Sequence, residues 1–520
     1  MSKLVSVAEM RAIEQAADEL GLSYAQMLEN AGRELANAVL AHSHNREHTA
    51  VALVGTGNNG SDALVALAAL GAAGWKTGAL LIGKRFSHDE YVKRARKAGA
   101  VIRTLDHDNH EKLDEHAEWL RSYAVVLDGI LGTGVRAPVR EGLARLMAAI
   151  KANFEIMQPA PYIVAVDCPS GMDCDTGEVA LQTLQADLTV CMGAIKAGML
   201  TLPAFGYLGE LELADIGITN RIRQWADIKR QIIDEAAVRG FLPARPLGAH
   251  KGTFGSLLVV AGSLQYPGAA LLAGRAAYRS GVGLVQMAVS KQVQPLLAGH
   301  LPEATWLPLP SQDGSFGPTA TKPISAALEN MSALLLGPGL GLTEGTGEFV
   351  GKLLKETLPP LVVDADGLKL LAAYKDWHRR FSLDAVLTPH PGEMAILTGL
   401  TVAEIQRNRI EIAEQYAKAW HQVVVLKGAF TVVAAPDGRS ATLPLATPAL
   451  ARAGTGDVLA GLIAGLRAQS AVHAGRAFEA ACAGVWLHGQ AGLRAAAQRG
   501  TAAVLASDLL EHLPVMDGLG

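Results

Sequence analysis

Thr49-Ala50-Val51-Ala52-Leu53-Val54 runs directly into Gly55-Thr56-Gly57-Asn58-Asn59-Gly60-Ser61-Asp62 and then into an Ala/Leu-rich stretch. The short apolar run closed by glycine reads as a buried strand, and the stretch after the loop as a helix. Between them stands G-x-G-x-x-G, the dinucleotide fingerprint in the strand-turn-helix setting it needs. The fingerprint also predicts an acidic residue closing the next strand, expected over residues 77–83. That strand leads into Lys84-Arg85 instead, which suits a phosphorylated ribose or a site other than an ordinary hydride-transfer site. The polar loop residues Asn58, Asn59, Ser61 and Asp62 add carbonyl, hydroxyl and carboxylate oxygens, which are hard-cation ligands as well as hydrogen-bond partners.

Working outward, residues 7–41 carry helical periodicity and form a leading helical region with Asn30-Ala31-Gly32 at its centre. Two more apolar strands end in acids. Tyr123-Ala124-Val125-Val126-Leu127 reaches Asp128 and the loop Gly129-Ile130-Leu131-Gly132-Thr133-Gly134, while Tyr162-Ile163-Val164-Ala165-Val166 reaches Asp167-Cys168-Pro169-Ser170-Gly171. Each aspartate by itself reads as a turn or cap residue. Ligands of open α/β sheets bind beyond the carboxyl ends of strands, so Asn59, Asp128, Asp167 and Ser170 are expected to converge there.

The bulk composition bounds the rest. A chain of 520 residues allows two large α/β domains, at a prior of roughly 150 residues per domain. A net charge of −4, 18% charged residues and no Lys/Arg runs exclude a nucleic-acid footprint. No apolar window approaches the roughly 18 residues that span a membrane, and the start lacks the apolar core of a secretory signal. Four cysteines without zinc-like or disulfide-dense spacing are expected as reduced thiols in a cytoplasmic protein. The chain turns polar at residues 221–230 and reaches Pro243 and Pro246, which places a join near 220–240 and divides it into 1–222 and 223–520.

The second half restarts the alternation of strand, glycine or polar loop, and helix: a mostly parallel sheet covered on both faces. Its loops carry Lys251-Gly252-x-x-Gly255, Gly337-Pro338-Gly339-x-Gly341, Asp364-Ala365-Asp366, Pro389-His390-Pro391-Gly392-Glu393, Lys427-Gly428-Ala429 and Gly454-Thr455-Gly456-Asp457 in that order. Gly454 and Gly456 let the backbone approach an anion at a helix start. Asp457 reads either as a helix cap or as a base beside the anion. Lys427 alone reads as a solvated lysine, and His390, pinned between prolines, as a structural hydrogen-bonding residue. Asp364 and Asp366 could cap a helix or assist a magnesium ion. Cys168, Trp306 and Trp377 read as packing residues.

The first set of motifs resembles the YjeF N-terminal family, the NAD(P)H-hydrate epimerases, and the second the YjeF C-terminal, ribokinase-like NAD(P)H-hydrate dehydratases. The resemblance implies an N-terminal Rossmann-like three-layer domain and a C-terminal ribokinase-like α/β domain. It implies K+ held by Asn59, Asp128 and Ser170, and hydrated nucleotide contacted by Asn58, Asn59, Gly60, Ser61, Asp62, the loop Gly132, Thr133, Gly134, Val135, Arg136, Ala137 and Pro138, and Asp167. Asp167 would be the proton-transfer residue there. In the second half, Lys427, Gly428, Ala429, Phe430, Thr431 and Gly456 would bind ADP or ATP with Mg2+. Ala269, Gly339, His390 and Asp457 would face the hydrated nicotinamide, Asp457 as catalytic base. The expected partners are hydrated NADH or NADPH and an adenine nucleotide, with neither nucleic acid nor membrane, in a homo-oligomer. The competing expectations are a ribokinase-like small-molecule kinase with an N-terminal nucleotide-sensing module, and a first half serving as a non-catalytic sensor or scaffold.

Overall fold

The computed structural model describes residues 1–43, 45–83, 89–106, 113–136, 138–381, 385–470 and 476–515. It divides into two compact units, Ser2–Ile228 and Lys229–Gly520. The polar stretch 221–230 contains only the short helix Arg223–Ala226. The following strand, Arg230–Ile232, adds to the edge of the second unit's sheet.

The first unit holds a seven-stranded sheet. Named by first residue, its strands lie in the order Val101, Lys76, Thr49, Val125, Tyr162, Leu188 and Glu210. Every pairing in it is parallel. Chain order reverses between Thr49–Val54 and Val125–Gly129, and the crevice beyond the carboxyl ends opens at such a reversal. Along Thr49–Val54 the side chains alternate: Ala50, Ala52 and Val54 enter one apolar cluster, Val51 and Leu53 another. A strand buried on both faces needs no polar alternation, hence its continuous apolar sequence. The leading region is two helices, Val7–Glu19 and Tyr24–His42, each opened by a reciprocal serine cap, Ser6 with Glu9 and Ser23 with Gln26.

The second unit's ten-stranded sheet runs, by first residue, Arg230, Ser440, Val432, Val423, Val386, Leu361, Ala333, Ser256, Leu284 and Thr305. Val432–Ala434 alone runs against the rest. Leu257 and Val259 face one apolar cluster and Leu258 and Val260 the other. Helix Thr455–Ser470 packs on helix Pro267–Arg279 through glycines, because a Cβ at Gly461 would stand 2.2 Å from the Ala273 carbonyl oxygen. Backbone cannot retreat as a side chain can, so this contact admits nothing larger than hydrogen. Gly461→Ala is therefore expected to destabilise the second unit by about 1–3 kcal/mol. Thermal denaturation would show it as a lowered melting transition for that unit, with the first unit's transition unmoved.

Candidate active sites

In the first unit, Gly55 brings two strand ends together: its N–H donates to the Gly129 carbonyl at 3.0 Å, and a Cβ there would lie 1.8 Å from the Ile130 carbonyl oxygen. Gly57 precedes helix Asn58–Ala72 without a side-chain cap, leaving the first-turn N–H groups open toward the crevice. The crevice is a cavity of ≈480 Å³, walled by Asn58, Asn59, Gly60, Asp62, Gly132, Thr133, Gly134, Val135 and Asp167. Ser61 is buried and does not reach it. Arg136 and Pro138 line a neighbouring cavity of ≈510 Å³ that shares Ile130, Gly134 and Val135 with the first. Ala137, like Lys84 and Arg85, lies outside the described residues.

Behind the wall, Asp128 is buried. It accepts hydrogen bonds from the Ser170 N–H (2.8 Å) and hydroxyl (2.6 Å), and no lysine or arginine pairs with it among the described residues. Burial pushes its carboxyl up, partly offset by those donors. Asn59 turns its amide N–H to the Val166 carbonyl, and a Cβ at Gly132 would lie 2.5 Å from the Asn59 carbonyl oxygen. Asn59, Asp128 and Ser170 thus gather at the loops following three adjacent strands.

Asp167 adopts φ 65°, a left-handed backbone unusual for a non-glycine residue and frequent where a side chain is aimed. Its Oδ1 accepts from the Met192 N–H at 2.9 Å and from the Lys196 ammonium. Among the described residues no hydrogen bond reaches its Oδ2. Lys196 is buried at 1% exposure; burial, the largest single influence, lowers its pKa, but the charge and hydrogen bond of Asp167 together with Cys191 and Cys174 outweigh it and hold the ammonium above the usual range. The motifs did not reveal Lys196, which sits in the two-residue strand Ile195–Lys196, nor the cavity-lining Arg11, Glu14 and Tyr24 from the leading helices and Tyr91 beyond them.

In the second unit Lys427 is not a solvated lysine. Its Nζ pairs with Asp364 Oδ1 at 2.6 Å and Glu393 Oε2 at 3.6 Å, and its N–H donates to the Pro389 carbonyl. A Cβ at Gly456 would stand 3.5 Å from that Nζ, so the lysine lies at the start of helix Thr455–Ser470. Gly428 (φ 145°) and Phe430 (φ 54°) take left-handed backbone, and the Thr431 hydroxyl closes the loop onto the Gly428 carbonyl at 2.8 Å. Asp364 accepts from Thr388, and Asp366 from the Gly341 N–H and Lys369, so neither caps a helix. A Cβ at Gly339 would press on Ala269, which places those two residues side by side. His390 caps helix Pro391–Thr398, its Nδ1 accepting from the Gly392 and Glu393 N–H groups, and its other ring nitrogen faces Glu393 at 3.4 Å.

Asp457 is the third residue of its helix and takes no hydrogen bond among the described residues, so it does not act as a cap. Burial, together with the charges of Asp364, Asp366 and Glu393, pushes its carboxyl up to about 7 against the pull of Lys427. From behind, His488 on helix Ala477–Arg499 donates through Nε2 to the Thr455 carbonyl at 2.9 Å; burial lowers its pKa to about 4. Cys168, Cys174, Cys191 and Cys482 are free and buried, and Trp377 is buried in the core, as packing residues should be.

Residues 24–198 match the model of the YjeF-related protein N-terminus, and residues 257–515 that of NAD(P)H-hydrate dehydratase. The chain is similar to the bifunctional NAD(P)H-hydrate repair enzyme of Moorella thermoacetica, with 37% identity over 98% of this chain and 96% of that one. It is 33% identical to the Escherichia coli enzyme of the same name, over 96% of this chain and 90% of that one. A solved ADP/ATP-dependent NAD(P)H-hydrate dehydratase from Bacillus subtilis, co-crystallized with ATP/Mg2+, is 37% identical over 55% of this chain and 96% of its own, with a TM-score of 0.47.

The raised Asp457 pKa has a signature in stability. The folded carboxyl titrates near 7 against 3.8 for the free side chain, so folding favours the proton. The stabilisation contributed by this one carboxyl is fully present below pH 3.8, is lost as the pH rises to about 7, and is absent above. Asp457→Asn is expected to melt above the wild type at pH 8, with the gap closing toward pH 4 in a thermal-melting series.

Proposed function

The chain belongs to the bifunctional NAD(P)H-hydrate repair enzymes, and from that premise we propose how its two sites divide the work. It epimerises the R and S forms of hydrated NAD(P)H and dehydrates the S form back to NAD(P)H, at the expense of ADP or ATP. The first unit carries the epimerase and the second the dehydratase.

In the first unit the nicotinamide end enters the ≈480 Å³ cavity against Asp167. Lys196 and the Met192 N–H fix Oδ1, which leaves Oδ2 to take a proton from the carbon-6 hydroxyl. Arg136 and Pro138 attend the other end of the nucleotide in the adjoining cavity. The residues present fit K+: Asp128 is a buried carboxylate without a cationic partner among the described residues, beside a neutral amide and a hydroxyl, a donor set suited to a monovalent cation. Asn59, Asp128 and Ser170 would hold it, and a bound ion there neutralises the buried charge and stiffens the loops that form the cavity wall.

In the second unit the observation that carries the reading is Asp457. It is a buried carboxyl without hydrogen bonds among the described residues, poised near neutral pH beside the glycine turn and Lys427. Hydroxide is a poor leaving group. Asp457 takes the carbon-6 hydroxyl proton, and the oxygen attacks the terminal phosphoryl of the nucleotide, whose bond to the bridging oxygen breaks to release AMP from ADP or ADP from ATP. Lys427 and the amides near Gly456 hold the charge that develops. The ring nitrogen then expels phosphate, and loss of a proton from carbon 5 restores the ring double bond. A bound Mg2+ supplies charge neutralisation on the phosphates, with Asp364 and Asp366 the nearby carboxylates able to hold it through water. Ala269, Gly339 and His390 complete the nicotinamide side, and Gly428 to Thr431 the adenine-nucleotide side.

Mixed hydrated NADH supplied with ADP and Mg2+ should be recovered completely, followed by absorbance of the reduced nicotinamide. Recovery of one epimer alone would sink the double activity. Asp457→Asn should abolish recovery yet leave epimerisation intact. Replacing K+ with Li+ should slow epimerisation and spare dehydration, and K+ should raise the melting temperature of the wild type but not of Asp128→Asn. Equal rates and equal melting in both salts would overturn the cation site.

A further inference from the structure

We propose that Glu14 is the second proton-transfer group of the epimerase, acting with Asp167 in one cavity. The inference rests on the assignment of Asp167 above. Carbon 6 of the hydrate bears a hydroxyl and is bonded to the ring nitrogen, so inversion by ring opening moves two protons. The hydroxyl gives up its proton and its electron pair forms C=O. The bond from carbon 6 to nitrogen breaks, its electron pair goes to nitrogen, and nitrogen takes up a proton. Closure onto the other face of the carbonyl returns both protons, leaving the enzyme as it began. One carboxylate can be the base or the acid at a given moment, and this step needs both together.

Glu14 sits where the second group is needed. It lies on the leading helix Val7–Glu19 and lines the same cavity as Asp167, and its carboxylate takes no hydrogen bond among the described residues. The charged groups that act on it are Asp167, Lys196 and, on its own helix, Arg11; Tyr24 faces it from the next helix. Burial pushes its carboxyl up and the Asp167 charge pushes it further, against the opposing pull of Lys196 and Arg11. Asp167 by contrast has Lys196 as a fixed partner. Two carboxyls in one cavity, one neutralised by a buried ammonium and the other not, are set apart as base and acid. Asp62 also lines the cavity, and its charge helps to raise the Tyr91 hydroxyl.

The test uses the full-length protein and one isolated epimer of hydrated NADH without adenine nucleotide, with the epimer ratio followed chromatographically and the uncatalysed rate subtracted. Glu14→Gln keeps the shape but carries no transferable proton. It is expected to lower kcat by about 10²–10⁴-fold with KM little changed, and to remove the alkaline limb of the pH profile. Glu14→Asp should recover part of the rate and restore that limb. ADP-driven dehydration of the S epimer should match the wild type, and the melting transitions should be no lower than the wild type's. A Glu14→Gln rate within about twofold of the wild type, or a loss confined to KM with the pH profile kept, overturns the inference. Asp167→Asn is measured alongside. If it too keeps the wild-type rate, the Asp167 assignment has failed; if it is inactive while Glu14→Gln is active, Glu14 alone is wrong.

Discussion

A carboxylate carried out of water to the end of a buried strand needs a positive charge, a set of N–H and O–H donors, or a proton. Three acids in the two sites each take one of these answers. Asp167 takes the charge, in the form of Lys196, which is buried only because its partner is there. Asp128 takes the donors, from the Ser170 N–H and hydroxyl. Asp457, crowded by Asp364, Asp366 and Glu393, takes the proton. Chemistry at neutral pH follows from which answer each acid was given.

The parallel sheets make that arrangement possible. Strands buried on both faces leave polar side chains nowhere to go but the carboxyl ends, and the reversal of chain order at Thr49–Val54 holds two such ends apart. Glycines then let the loops close. Gly55, Gly132 and Gly339 each stand where an added methyl would strike a neighbouring loop or helix residue. The two sites share no motif, and their residues come from separate units. Joining them in one chain makes chemical sense, since a dehydratase selective for one epimer strands the other unless it is converted.

Much of this was legible in the sequence because apolar runs ending in glycine and acid mark strand ends, and strand ends are where such sheets bind ligands. The family resemblance implied cavity residues from Asn58 to Asp62 and from Gly132 to Pro138; of these Ser61 does not reach the cavity, Arg136 and Pro138 line the adjoining one, and Ala137 lies outside the described residues. Less visible were the residues that belong to no loop motif. Glu14 sits in an amphipathic helix whose periodicity explains it equally well as surface, and Lys196 lies in a two-residue strand too short to register as a pattern. The capping role of His390 was half visible: its extended backbone followed from the prolines, but which ring nitrogen would be engaged depends on the first turn of the helix it opens. The proton on Asp457 was beyond reach, because it depends first on burial and then on three acids from two loops distant from it in the chain.

His488 deserves a different kind of reading. Its ring holds the Thr455 carbonyl from within helix Ala477–Arg499, and it stays uncharged down to about pH 4. Asp457 gains and loses its proton near 7, well inside the range in which His488 does nothing. The turn can therefore be clamped by a residue indifferent to the titration beside it. The Asp457 carboxyl and the ring that clamps its turn run on separate proton scales, so loading the one does not loosen the other.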